Sequence, residues 1–74
     1  MKQPETPNKE QVVEHRLAAD LNIFEAAELV YVTPEVWHEW ETGIAPMHPG
    51  LWELLRIKTA ILQRRSRHKR HSLN

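Results

Sequence analysis

Apolar side chains recur at helical spacing in four stretches of this chain, separated by short breaks rich in polar residues or proline. The first stretch predicts a helix from about Lys9 to Asp20, with Val13, Leu17 and Leu21 at four-residue spacing as its apolar stripe. Asn8 is placed to cap it, with Gln11 three residues on as the reciprocal partner of a capping box. The second predicts a helix from about Ile23 to Tyr31, capped by Asn22 and Glu25 in the same way. Ile23, Ala26, Ala27 and Val30 share one face of it, and the adjacent alanines let another helix approach closely.

The third stretch is "TPEVWHEWETG". Thr33 is a capping residue and Pro34 occupies the first helical position, where a missing N–H costs nothing; Gly43 suits the stop. At 100° per residue Val36, Trp37 and Trp40 fall on one arc, while Glu35, His38 and Glu39 point the other way. Buried indoles are the simplest use of two tryptophans at this spacing, because a short helix packed on a small-residue helix needs their burial. After the loop "IAPMHPG", a fourth helix is expected from Pro49 to about Arg65. Its apolar set, Leu51, Leu54, Leu55, Ile57, Ile61 and Leu62, spans an arc wide enough to cover the core with one edge and meet a second chain with the other. Trp52 lies to one side, either at the core rim or as an interface anchor. The expected fold class is therefore all-α, a small bundle of four to five helices, with residues 1–8 a disordered start, 9–65 the domain and 66–74 a basic tail.

A chain of 74 residues is one small domain of marginal core. It has no cysteine, which excludes disulfides and leaves the redox compartment open; a cytoplasmic location fits. The polar start "MKQPETPNKEQ" does not resemble a signal peptide, and no apolar run approaches the roughly 20 residues that span a bilayer. Charge changes the picture more. The formal total is zero, but "RRSRHKRH" holds Arg64, Arg65, Arg67, Lys69 and Arg70, a block of +5; the other five cations face all ten acids, leaving −5 for the remainder. An acidic body with a basic end points to an anionic partner for that end.

Two short helices joined by a brief turn suggest a helix-turn-helix. The stretch from Arg16 to Leu55, a little over half of the chain, resembles the lambda-repressor-like, Cro-type (XRE) helix-turn-helix family, in particular small phage and plasmid regulators. Ala27 matches the family's small position where the second helix crosses. Ala26, Val30, Val32, Trp37 and Trp40 match its buried positions. Trp40-Glu41-Thr42-Gly43 matches its closing motif, and Arg16 stands where the family has an arginine that pairs with that glutamate. The resemblance thus implies an Arg16–Glu41 ion pair and a recognition helix over 33–42. Three positions depart from the family pattern: Asp20 and Tyr31 stand where glycine is common, and Ile23 where a phosphate-contacting glutamine is usual. A side chain at Tyr31 must accept an unusual backbone, or the turn is drawn differently.

What this implies is a sequence-specific, double-stranded-DNA-binding transcriptional regulator, a repressor-type protein of a bacterial cell or phage-infected host. Its base-reading candidates are Thr33, Glu35, His38, Glu39 and Thr42, with Arg64, Arg65, Arg67, Lys69 and Arg70 on phosphates. His38 either reads a base or backbone oxygen or is merely exposed. Carboxylates are repelled by phosphates, although they accept from the cytosine amino group in the major groove. Palindromic targets require a homodimer, whose interface is expected at Ile57 and Ile61. The alternative is an interaction protein that binds and inhibits a host protein through its acidic face and Phe24, Leu29 and Tyr31. Catalysis has no support, since Ser66 and Ser72 lie in the charged end without a base-and-orienter arrangement. No metal is expected from His15, His38, His48, His68 and His71, because neighbouring cations oppose binding at the last two and no cysteine completes a set. No cofactor, small-molecule ligand or membrane contact is indicated.

Overall fold

The computed structural model describes the backbone of residues 5–72 and the side chains of residues 5–64. The described chain is all-helical: α1 (Lys9–Ala18), α2 (Ile23–Leu29), α3 (Pro34–Thr42) and α4 (Pro49–Ser72). The expected starts of the first three helices are met atom by atom. Asn8 accepts from the Gln11 N–H at 2.8 Å while Gln11 returns a carboxamide oxygen to the Asn8 N–H at 2.9 Å. Asn22 and Glu25 repeat the exchange at α2. Thr33 accepts from the Val36 N–H at 3.2 Å, with Pro34 following.

The stops are less visible in the sequence. Three helices close on a left-handed residue, Asp20 at φ 61°, Tyr31 at φ 63° and Gly43 at φ 84°. Each closure brings an N–H from beyond the helix back to an orphan carbonyl: Leu21 to Arg16, Val32 to Ala27 and Ile44 to Glu39. Only the third uses glycine. The first two helices therefore end two residues earlier than the apolar pattern predicts, at Ala18 and Leu29.

The core is small and dominated by indole. Val12, Ala26, Ala27, Val30, Trp37, Trp40, Met47 and Leu55 are buried. The Trp37 and Trp40 rings lie 5.4 Å apart, tilted at 59°. Ala26 and Ala27 supply the flat surface on which α3 packs, and α2 against α3 is the most extensive helix pair. The first helix departs from its expected stripe. Val12 rather than Val13 is buried, and Leu17 is 61% exposed. The reason is that α1 turns Arg16 inward, so its inner face runs through Val12, His15 and Arg16 rather than along the more apolar line. Pro7 is buried too, which places the edge of the packed structure ahead of Lys9; residues 1–4 of the expected disordered start lie outside the described residues.

The fourth helix runs past Arg65 to Ser72, with no proline or glycine after Gly50 to stop it. It joins the body along one edge. Leu55 and Thr59 are buried, Leu51, Trp52 and Leu54 are half-buried, and Ile57, Ile61 and Leu62 are exposed. Trp52 belongs to the rim. Its ring meets the edge of the His15 imidazole at 5.2 Å, and the Arg56 guanidinium sits 5.4 Å from its centroid.

His15 is the polar link between α1 and α4. Its Nε2 lies 2.8 Å from the Thr59 hydroxyl, which itself donates to the Arg56 carbonyl at 3.2 Å. The hydroxyl hydrogen is thus engaged, and Nε2–H is the donor to Thr59. Burial, and secondarily the nearby Arg56 charge, hold the imidazole below its ordinary value of 6.5. Because the native pKa is the lower one, the unfolded chain binds more protons just below that ordinary value, and stability rises with pH through the window. The penalty is complete below the native pKa and absent well above 6.5. Melting temperature should therefore fall on acidification from about pH 7 to pH 5, a range set by the ordinary histidine value. His15→Gln, which retains a donor for Thr59, should flatten the profile; an unchanged slope in that variant would overturn the assignment.

Candidate nucleic-acid interface

The outer face of α3 is held in place from behind by one carboxylate. Glu41 accepts from the Arg16 Nε at 2.6 Å and from its Nη2 at 3.2 Å, a two-pronged ion pair between α1 and α3. The same carboxylate accepts from the Trp37 indole N–H at 2.6 Å. The remaining Arg16 nitrogen, Nη1, donates to the Leu21 carbonyl at 3.0 Å, tying in the turn before α2. The pair is well shielded, with side-chain exposures of 14% for Arg16 and 9% for Glu41. Trp37 is fully buried, and its polar atom is satisfied only through this contact.

What this seat presents outward is acidic. Glu35, His38, Glu39 and Thr42 are all exposed, as their positions on the helix predict. Two of the expected reading groups are engaged within the chain. The Thr33 hydroxyl caps α3, and the Thr42 hydroxyl donates back to the His38 carbonyl at 3.0 Å. That leaves Glu35, His38 and Glu39 as the free hydrogen-bonding side chains among the five. Val36, expected on the core arc, lies at its edge with 36% exposure and adds a methyl-bearing contact to the same face.

The turn between α2 and α3 is built around Tyr31. Its left-handed backbone sends the ring out to solvent, 78% exposed, where the Lys58 ammonium lies 4.1 Å from the ring centroid. Lys58 also donates to the Tyr31 hydroxyl at 2.8 Å and to the Leu29 carbonyl at 2.7 Å. It thus satisfies an orphan carbonyl at the end of α2 and fastens the turn to α4. Charge spacing alone gave no hint of Lys58, because its partners are a carbonyl and a phenol rather than an acid. Phe24, 71% exposed, and Tyr31 border a shallow groove of about 470 Å³ whose floor and walls include Glu25, Glu28, Val32 and Pro34. Leu29 is not part of this exposed set: it is half-buried and packs on the core. Ile23 is likewise half-buried against the core, so it offers no substitute for a phosphate-contacting amide.

Of the basic candidates, Arg64 is exposed; the side chains of Arg65, Arg67, Lys69 and Arg70 lie outside the described ones, although the helix backbone carries through them. Among the described residues no three His, Asp or Glu side chains gather as a cation site, and no helix is long and apolar enough to cross a membrane. No protein-family model matches the chain, and no curated protein matches it.

Two stability predictions follow from this geometry. Glu41→Ala strands the Arg16 charge and the Trp37 N–H together and should cost roughly 3 kcal/mol, the lower end for breaking a buried pair. Glu41→Gln keeps an acceptor for the indole and should cost less; urea titration followed by tryptophan fluorescence reads both. A loss of under about 1 kcal/mol for Glu41→Ala, the value for exposed pairs, would show that the network contributes little. Left-handed backbone costs a side-chain-bearing residue about 1 kcal/mol. Asp20→Gly should recover most of that, and Tyr31→Gly distinctly less because it forfeits the Lys58 contacts. A larger gain at Tyr31 than at Asp20 would mean those contacts add nothing.

Proposed function

We propose that this chain is a small helix-turn-helix regulator of the lambda-repressor-like, Cro-type kind, reading double-stranded DNA with the outer face of α3. The observation that carries this is the rigid seat: a short helix, backed by two buried indoles and the Arg16–Glu41–Trp37 hydrogen bonds, offers Glu35, His38 and Glu39 together to the exterior. In a major groove two carboxylates accept from cytosine amino groups, the imidazole addresses purine or backbone acceptors, and Val36 suits a thymine methyl. Such a face gains nothing from phosphates. Affinity must come from elsewhere, and the +5 block on α4 is the source in this reading. The protein is a binder rather than a catalyst, working in the cytoplasm of a bacterial cell or infected host.

A second reading rests on a different observation. Phe24 and Tyr31 flank a groove bordered by Glu25 and Glu28, an apolar-acidic surface suited to a basic protein partner. In that case the chain is an interaction protein that inhibits a host protein.

Fluorescence anisotropy on a mixed-sequence duplex separates the two. With about five phosphates neutralised, raising salt from 50 to 200 mM should weaken binding on the order of 10²-fold or more. Replacing Arg64, Arg65, Arg67, Lys69 and Arg70 by Gln should abolish most of that dependence, and His38→Ala should alter the preferred sequence while leaving the fold intact. Absence of duplex binding at every salt concentration refutes the regulator. A protein complex that survives the five-Gln change and is lost on Phe24→Ala with Tyr31→Ala supports the second reading.

A further inference from the structure

We propose that a cavity at the start of α1 binds a small organic carboxylate, holding the anion by the Lys9 ammonium and the Trp40 indole N–H and its apolar body against Met47. The cavity has a volume of about 240 Å³ and lies where the start of α1, the end of α3 and the loop before α4 meet. Drug-sized sites begin at roughly 300 Å³, so this one suits a body of a few carbons. Pro7, Trp40, Ala45, Pro46 and Met47 line it, and Pro7 and Met47 are themselves buried. No acidic side chain is among its walls, and it shares no residue with the Phe24–Tyr31 groove.

Trp40 supplies the polar clue. The residue is 6% exposed, yet its indole N–H meets no acceptor among the described residues, whereas that of Trp37 is taken by Glu41. No fully buried side-chain nitrogen among them is left without a partner. The Trp40 N–H therefore belongs to the small accessible part of the ring, and the ring opens onto this cavity. An indole nitrogen donates and does not accept, so the group that matches it is an acceptor.

Charge makes that acceptor an anion. Lys9 has no ion-pair partner among the described residues. Its stem crosses Gly43 so closely that a Cβ there would lie 3.2 Å from the Lys9 Cδ, which carries the ammonium toward the end of α3 that bears Trp40. The first turn of α1 adds its own field. Asn8 satisfies the Gln11 N–H, but the Lys9 and Glu10 N–H groups have no acceptor among the described residues, and the positive end of the helix lies at the cavity. A carboxylate answers these donors together, and the apolar lining favours one that carries an aliphatic body over a bare inorganic ion. The site uses no part of the outer face of α3 and stands independently of both functional readings.

The test is a titration of the full isotope-labelled chain with isovalerate, followed at the indole N–H signals of its three tryptophans. At matched ionic strength the Trp40 signal should shift and saturate with a Kd on the order of 1 mM, while those of Trp37 and Trp52 hold still. Isovaleramide, of the same shape without the charge, should bind about tenfold more weakly. Lys9→Met should weaken isovalerate by a similar factor, that of one charge-assisted hydrogen bond. Ala45→Leu fills the cavity without touching either donor and should abolish the shift at unchanged circular dichroism. N-acetyl-prolyl-leucine distinguishes a peptide's terminal carboxylate from a free acid, and capture of either by Trp40 and Lys9 supports the site. A Trp40 signal unmoved at on the order of 50 mM isovalerate, an equal response to isovaleramide or to chloride, or a response unchanged by Lys9→Met would each overturn the proposal.

Discussion

One carboxylate organises this domain. Glu41 gathers an indole N–H from its own helix and two guanidinium N–H groups from α1, and the guanidinium in turn holds the turn that leads into α2. An ion pair of this burial is not an efficient source of stability, since desolvating two charges offsets much of their attraction. Its physical consequence is geometric. Apolar contacts between Trp37, Trp40 and the Ala26-Ala27 surface are tolerant of sliding and rotation, whereas a two-pronged pair with a third donor has one arrangement. A core cluster of eight buried apolar residues, among the described ones, needs such a device, because packing alone leaves a three-helix seat under-determined. The orientation of α3, and hence whatever its outer face meets, is set by this contact.

The same economy explains the two strained closures. A residue with a side chain in the left-handed region carries a penalty that glycine avoids. At Tyr31 the penalty brings a return: the phenol and ring receive Lys58, which also donates to the Leu29 carbonyl at the end of α2, so the turn is clamped to α4. Asp20 has no comparable partner among the described residues, but its residue type tolerates the left-handed backbone better than most. The turn that separates α2 from α3 is thereby fixed by Lys58, while Glu41 ties α3 to α1 and, through Arg16, to the turn before α2.

Much of this was legible in the sequence wherever a local rule decides the outcome. Asn8, Asn22 and Thr33 are capping residues with their partners three positions on, and such bonds form regardless of what packs nearby. The burial of Trp37 and Trp40 followed from their spacing and size. The Arg16–Glu41 pair came from a family resemblance; spacing alone does not join residues twenty-five apart. The losses have one cause. Periodicity assumes that the most apolar line of a helix faces inward, and α1 breaks that rule because Arg16 and His15 have buried partners in α3 and α4. Leu17 is left outside as a result. Met47 was invisible for a related reason: it is buried from within a proline-bounded loop, where no period exists to place it.

The distribution of charge has a mechanical reading. Blocks of −5 and +5 in one chain attract, and a flexible connection would let the basic end fold back onto the acidic body. A helix that continues unbroken from Pro49 to Ser72 removes that option, because a rigid rod holds its far end away from its own root. Held apart from its own acidic body, the basic block is open to an anion approaching from outside, the role the DNA-binding reading gives it.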